Sequence, residues 1–259
     1  MVEPDSINAN PAPAAPVLPP GAGPRVPPFL GIVMLDTRFP RPPGDVGHPD
    51  TFGCPVRKAM VAGAWPDKVV ATAASLRAQR IASAFVVLMR QMERDGAAAI
   101  TTSCGFLVLL QRELQAAVKV PVETSSLLQL PALLKQERQV GVLTISASKL
   151  GSDHLRAAGV PRERLRDVLV QGVDPAGEFA SAILGNRATM DLELAGADVV
   201  RAAEALRARA PDLRTVVLEC TNMPPYADAV RAATGFSLRS LQDSPRLRRA
   251  MGLPISPCP

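Results

Sequence analysis

The sequence predicts an α/β protein of two similar, pseudo-symmetric units, each a mostly parallel sheet flanked by helices. Three observations carry that prediction. Short apolar runs alternate along the chain with amphipathic stretches of helix length. The runs are apolar throughout, not at every second position, as in strands covered on both faces. A strand–cysteine–helix plan also occurs twice, at Cys104 and Cys220, about the length of one small domain apart.

Residues 1–28 contain nine prolines, which lack an amide donor and fix φ, so this stretch is expected to be a disordered or extended leader. Phe29–Leu35 is the first strand, stopped by Asp36. Residues 36–47 form a loop by their prolines and glycines. Residues 74–95 read as a helix: Leu76, Arg80/Ile81, Ala84/Phe85, Leu88 and Met92 fall on one stripe, and Gly96 provides the stop. The alternation then repeats. Strands are expected at 97–100, 120–122, 139–144, 165–170 and Thr215–Leu218. Helices are expected at 105–118, 126–137, 147–158 and 198–210, with a helix and loop within 172–196. Residues 29–122 together with 222–259 are expected to form the first unit, and 123–221 the second.

Composition excludes several classes. With 259 residues, 47% of them hydrophobic, the chain is neither a disulfide-stapled miniprotein nor wholly disordered. The longest dense apolar run, residues 84–89, is far short of the ~20 residues that span a bilayer. No signal peptide is evident at the start, so a cytoplasmic location is expected and disulfides are not. The net charge of +5 arises at the C-terminus, where five arginines from Arg231 onward face one acid, Asp243. A nearly neutral body with 3% aromatic residues argues against nucleic-acid binding. An acidic partner for the arginine-rich end and a homo-oligomer both stay open.

The chemistry rests on cysteine. Of Cys54, Cys104, Cys220 and Cys258, no two are close in sequence, and His48 and His154 stand alone, so no metal site is expected. His154 reads as an exposed residue of a first helical turn. Cys104 and Cys220 sit just beyond strand ends and just ahead of helices, where ligands bind in open α/β sheets. Free amides and the helix dipole there favour a thiolate. The alternative, that each merely fills a core, weakens when two occur in matching contexts. Cys54 and Cys258 lack that context and read as structural or incidental.

At these residues a resemblance enters. Residues 31–37 (GIVMLDT), 101–105 (TTSCG) and 219–224 (ECTNMP) together resemble the aspartate/glutamate racemase superfamily, which includes amino-acid and hydantoin racemases, maleate isomerases and arylmalonate decarboxylases. The likeness runs from about Phe29 to Met251. It implies two pseudo-symmetric domains with the active site in the cleft between them, no cofactor, and Cys104 and Cys220 as the pair that takes and returns a proton beside a carboxylate. Asp36, Thr37, Arg38, Thr102, Ser103, Gly105, Thr144, Thr221 and Asn222 are the expected substrate-binding residues, with backbone amides and hydroxyls supplying donors to a developing enediolate. Asp36 also reads as a turn residue. Arg38 and Arg41 make the loop after the first strand a candidate lid that grips a second acidic group, or simply a solvated loop. Asn222 stands where glutamate racemases carry histidine, and Ser-Cys-Gly-Phe stands in place of their Cys-Asn-Thr.

The sequence thus favours a cofactor-independent racemase or epimerase of a small carboxylate compound such as an amino acid. The alternatives are an isomerase or decarboxylase of a dicarboxylic acid on the same fold, or a non-catalytic ligand-binding relative.

Overall fold

The structure is a computed structural model and describes residues 27–78 and 81–255. The expected leader (but for its last two residues), Arg80 and Cys258 lie outside the described residues.

The first sheet contains β1 (Phe29–Leu35), β2 (Val56–Val61), β3 (Ala97–Thr102) and β4 (Val122–Glu123), in the order β2-β1-β3-β4 and parallel throughout. The second contains β5 (Val140–Thr144), β6 (Val168–Gly172), β7 (Thr215–Leu218) and β8 (Ser237–Arg239), in the order β6-β5-β7-β8, again all parallel. The orders are the same when β5 is laid on β1, so the two sheets are pseudo-symmetric and β3 corresponds to β7. The duplication at the two cysteines is therefore a property of the fold.

Helices connect the strands. In the first half they are α1 (Pro66–Val69), α2 (Ala73–Ala78), α3 (Ala82–Arg94), α4 (Gln111–Ala117) and α5 (Leu130–Gln136). In the second they are α6 (Ser152–Ala157), α7 (Glu178–Leu184), α8 (Leu192–Arg209), α9 (Ala227–Thr234) and α10 (Pro245–Ala250).

β1 shows why uniform hydrophobicity specifies its place. All seven residues are buried. Phe29, Val33 and Leu35 join the main core, while Leu30, Ile32 and Met34 alternate into a second cluster with Phe52, Leu241 and Leu247. The main core is continuous across both halves and includes Cys104 and Cys220.

Several elements differ from expectation. β2 is an edge strand whose Arg57, Lys58 and Met60 face solvent, so it shows no apolar run. The helix expected at 74–95 is split into α2 and α3. The helices expected at 105–118 and 126–137 begin as 3₁₀ turns, Gly105–Leu110 and Ser126–Gln129. Residues 165–167 belong to a 3₁₀ turn, Arg162–Asp167, that precedes β6. α8 starts earlier than expected because Asp191 caps it, accepting from the Glu193 and Leu194 amides at 3.0 Å each. β8 pairs with β7 in the second sheet, whereas the sequence placed 222–259 with the first unit. The tail beyond it returns to the first sheet, where Leu241 and Leu247 cover β1.

Among the described residues, no helix is long and apolar enough to cross a membrane.

Candidate active site between the two sheets

β3 and β7 deliver the site. Each ends in a polar residue and then a cysteine: Ser103-Cys104 after β3, and Glu219-Cys220 directly after β7. The halves are stitched together at this point. The Thr221 hydroxyl donates to the Ser103 carbonyl at 2.8 Å, the Val46 amide donates to the Thr221 carbonyl at 3.3 Å, and the Ser126 hydroxyl donates to the Leu218 carbonyl at 2.7 Å. Cys104 and Cys220 are both free thiols, both buried, and both line one cavity.

That cavity also takes in Thr37, Ser103, Gly105, Thr221, Asn222 and Glu219, with apolar walls that include Phe39 and Phe106. It leaves about 20 Å³ for the centres of water molecules, room for about one water. Its walls include Phe39 of the loop after β1 and Pro66 of α1.

Seven of the expected site residues are thus gathered around one space. The others are nearby or elsewhere. Thr102 is fully buried and its hydroxyl donates to the Thr124 carbonyl at 2.9 Å. Thr144 donates to Glu219 Oε2 at 2.7 Å. The hydroxyls of Thr102, Thr144 and Thr221 are therefore committed within the protein. Asp36 accepts from the Gly63 amide at 2.9 Å and does not line the cavity, which fits its turn reading. The Arg38 side chain is exposed in an outer depression with Trp65 and Asn186. Arg41 is turned inward: its guanidinium donates to Asp45 Oδ1 at 2.7 Å and to the Thr37 hydroxyl at 2.8 Å, and it stacks on Phe39. It braces the loop from inside. His154 is buried, edge-on to Phe106, contrary to the exposed placement expected of it, because α6 packs on the 3₁₀ turn that follows Cys104.

Two acidic residues were missed in the sequence. Asp45 is 1% exposed and accepts from Asn222 Nδ2 at 2.6 Å, while Asn222 Oδ1 accepts from the Cys220 thiol at 3.5 Å. A continuous path of polar contacts thus runs from Cys220 through Asn222 and Asp45 to Arg41. The side chain at position 222, where glutamate racemases carry histidine, links a thiol to a buried carboxylate. Glu219 has no exposed surface, and its Oε1 has no hydrogen-bond partner. Burial pushes this carboxyl up to about 7, against the opposing pull of the Thr144 hydroxyl. Its only sequence signal was a carboxylate at the end of an apolar strand, which reads equally as a strand stop.

The thiols do not behave as their position before a helix suggested. Burial, and then the charge of Glu219, raise Cys104 well above its ordinary value, against the pull of the Phe106 and Leu107 amides. Cys220 is raised by burial, Glu219, Cys104 and Asp45, with only the Asn222 amide opposing. The element after Cys104 is a short 3₁₀ turn and both sulfurs are buried, so desolvation exceeds the dipole effect. Buried in this way, both sulfurs carry their protons.

No protein-family model matches the chain. It is 32% identical over 247 residues to a dimethylsulfoniopropionate lyase of Durusdinium sp. clade D, covering 88% of this chain and 80% of that protein. It is 31% identical over 249 residues to dimethylsulfoniopropionate lyase 3 of Emiliania huxleyi, covering 85% of this chain but 61% of that longer protein. Among solved structures, glutamate racemase of Bacillus anthracis superposes with a TM-score of 0.54 at 14% identity, over 86% of this chain and 80% of that one. A cysteine-substituted arylmalonate decarboxylase in its sulfate-associated form superposes with a TM-score of 0.53 at 16% identity, over 87% and 94% respectively. The fold is that of the aspartate/glutamate racemase superfamily, as the motifs around the two cysteines implied.

Proposed function

The chain belongs to the dimethylsulfoniopropionate lyase family, and from that premise we propose that it is a lyase that splits dimethylsulfoniopropionate, or a close sulfonium carboxylate, by proton abstraction beside the carboxylate. The observation that carries the reading is the pair of thiols, one from each sheet, on a single cavity. Racemisation was the leading expectation from sequence, but the relatives are named as lyases, and the chemistry of elimination suits the same site.

The two reactions share their first step. A thiolate takes the proton α to the carboxylate, and an enediolate-like charge develops on the carboxylate oxygens, where aimed donors lower the barrier. In a racemase a second thiol returns a proton on the opposite face. With a dimethylsulfonio group on the β carbon, the electron pair of the broken C–H bond instead forms the C=C bond. The C–S pair leaves with sulfur, giving neutral dimethyl sulfide, acrylate and one proton. No redox partner is needed. Elimination demands one base, so the two thiols need not contribute equally, whereas racemisation demands both.

Support for proton abstraction by a thiolate comes from the backbone amides at Phe106, Leu107 and Asn222, which pull the two thiols downward, and from the Arg41–Asp45–Asn222 bracing that fixes the second strand end. Substrate binding at Thr37, Ser103, Gly105, Thr221 and Asn222 belongs to the same proposal.

The test is direct. The purified chain is incubated with dimethylsulfoniopropionate, and dimethyl sulfide is followed by gas chromatography, acrylate by NMR. Both products in equal amounts are expected. The Cys104→Ser and Cys220→Ser variants should fall by about 10³-fold for the thiol that takes the proton and by at least about tenfold less for the other. Absence of both products, with deuterium entering an amino acid or dicarboxylic acid at Cα in D₂O, would return the site to the racemase or decarboxylase reading.

A further inference from the structure

The proposed elimination leaves one buried group of the cavity unused. Glu219 lies between the two thiols in their electrostatics, raising both. Its Oε2 is held by Thr144, and its Oε1 is buried without a partner. Among the described residues no lysine or arginine lines the cavity. A carboxylate in such a place is expensive to keep ionised, since no cation among the described residues of the cavity neutralises it. A cation entering the cavity would.

The surroundings narrow the kind of cation. Phe39 and Phe106 line the same space, with Leu35, Ile145 and Ile183 completing apolar walls. Apolar and aromatic walls with a desolvated carboxylate suit a methylated onium group, whose charge is spread over carbon-bound hydrogens and which needs no hydrogen-bond acceptors. A primary ammonium arrives with three N–H donors, and here only the free oxygen of Glu219 offers an uncommitted carboxylate acceptor.

We infer that Glu219 reads the positive charge of the substrate, and that with Phe39 and Phe106 it selects a methylated onium group over a neutral or primary-ammonium one. The inference rests on the lyase reading of the site. It makes Glu219 a specificity residue: the thiols act on the carbon acid, and Glu219 decides which leaving group accompanies it.

The test compares three ligands of one length on the purified full chain by isothermal titration calorimetry: 3-(trimethylammonio)propionate, its uncharged isostere 4,4-dimethylpentanoate, and 3-aminopropionate. The wild-type chain should bind the trimethylammonio ligand at least about tenfold more tightly than either of the others. In Glu219→Gln the preference over the neutral isostere should shrink to within about twofold, and an unchanged ratio would overturn the inference.

A measurement on the wild type guards against a variant that fails to fold. Between about pH 8.5 and pH 5.5 the onium preference should decay as Glu219 takes up a proton. The titratable groups around the cavity are Cys104 and Cys220, which stay neutral in this range, Asp45 beyond Asn222, which is paired to Arg41, Tyr226, whose phenol burial pushes up to about 12, and His154 edge-on to Phe106, whose imidazole burial holds below its ordinary value. A flat ratio across the range would also overturn it. Turnover of dimethylsulfoniopropionate measured in parallel separates the two ideas. No turnover with the preference intact would sink the lyase reading alone, and turnover without the preference would sink the role of Glu219 alone.

Discussion

The side-chain amide of Asn222 donates to Asp45 Oδ2 at 2.6 Å, joining the turn after β7 to the loop after β1. The two residues are 177 positions apart in sequence and belong to opposite halves of the molecule. Asp45 is in turn held by Arg41 and by the Gly47 amide, each at 2.7 Å. Asn222 also accepts from the Cys220 thiol, so the loop's position and the orientation of that sulfur are mechanically one thing.

Removing either partner should have different consequences. Asp45→Ala strands the partly buried Arg41 guanidinium and the Asn222 amide together. Breaking such a pair is expected to lower stability by about 3 kcal/mol, read as the urea midpoint, along with turnover. Asn222→Ala leaves the Arg41–Asp45 pair intact. It should lower stability by about 1 kcal/mol while reducing kcat by about 10²-fold through a misplaced sulfur. Equal effects of the two variants on stability would mean that the loop is not anchored through Asp45.

Gly105 has no room for a side chain. A Cβ there would fall far inside contact distance of both the carboxylate and the backbone carbonyl of Glu219. Only glycine lets the first strand end approach the second this closely. Gly105→Ala must push β3 and β7 apart or rotate Glu219 away, and overpacking of this kind costs about 1–3 kcal/mol. The variant should melt several degrees lower and lose most of its turnover. A fully active Gly105→Ala would show that the spacing between the strand ends is not critical.

Much of this arrangement was legible in the sequence, and the exceptions have physical causes. β1 and β7 were readable because both of their faces are buried and their runs are apolar, but for Thr215 at the start of β7. β2 was not, because at the sheet edge Arg57 lies over Phe29 and Lys58 donates to the Gly47 carbonyl, so charged residues occupy a strand without disturbing it. The cysteines announced themselves by repetition. Asp45 lies among prolines and glycines and looks like any turn residue, since its partners Arg41 and Asn222 come together only on folding. The state of the thiols was misjudged for a related reason: the helix-terminus argument leaves out desolvation, and the burial of both sulfurs, together with the Glu219 charge, appears only on folding.

Glu219 gives the protein a pH dependence of unusual sign for a carboxylate. Its folded value of about 7 lies above its ordinary 4.5, so between those values the folded state binds more protons than the unfolded one. The stabilising contribution is fully present below about pH 4.5 and is lost as pH rises through about 7, a loss on the order of 3 kcal/mol. Glu219→Gln should therefore be more stable than the wild type at pH 8 and nearly equal to it at pH 5, measured by urea denaturation at both values. A variant less stable at pH 8 would mean that the carboxylate finds compensation when ionised.

The unliganded thiols should be sluggish. Both Cys104 and Cys220 are protonated near neutral pH, because burial and the Glu219 charge outweigh the amides that reach them, and only the thiolate attacks an alkylating reagent. Iodoacetamide modification, followed by peptide mass spectrometry, should be slow at pH 7 and rise about tenfold per pH unit up to about pH 9 without levelling. Cys54, half-buried and outside the cavity, is the internal reference and should react first, although burial raises its thiol as well. A plateau for Cys104 or Cys220 near pH 7 would reveal a thiolate already formed in the resting protein. In that case the backbone amides, not the closed apolar walls, would set the chemistry of the site.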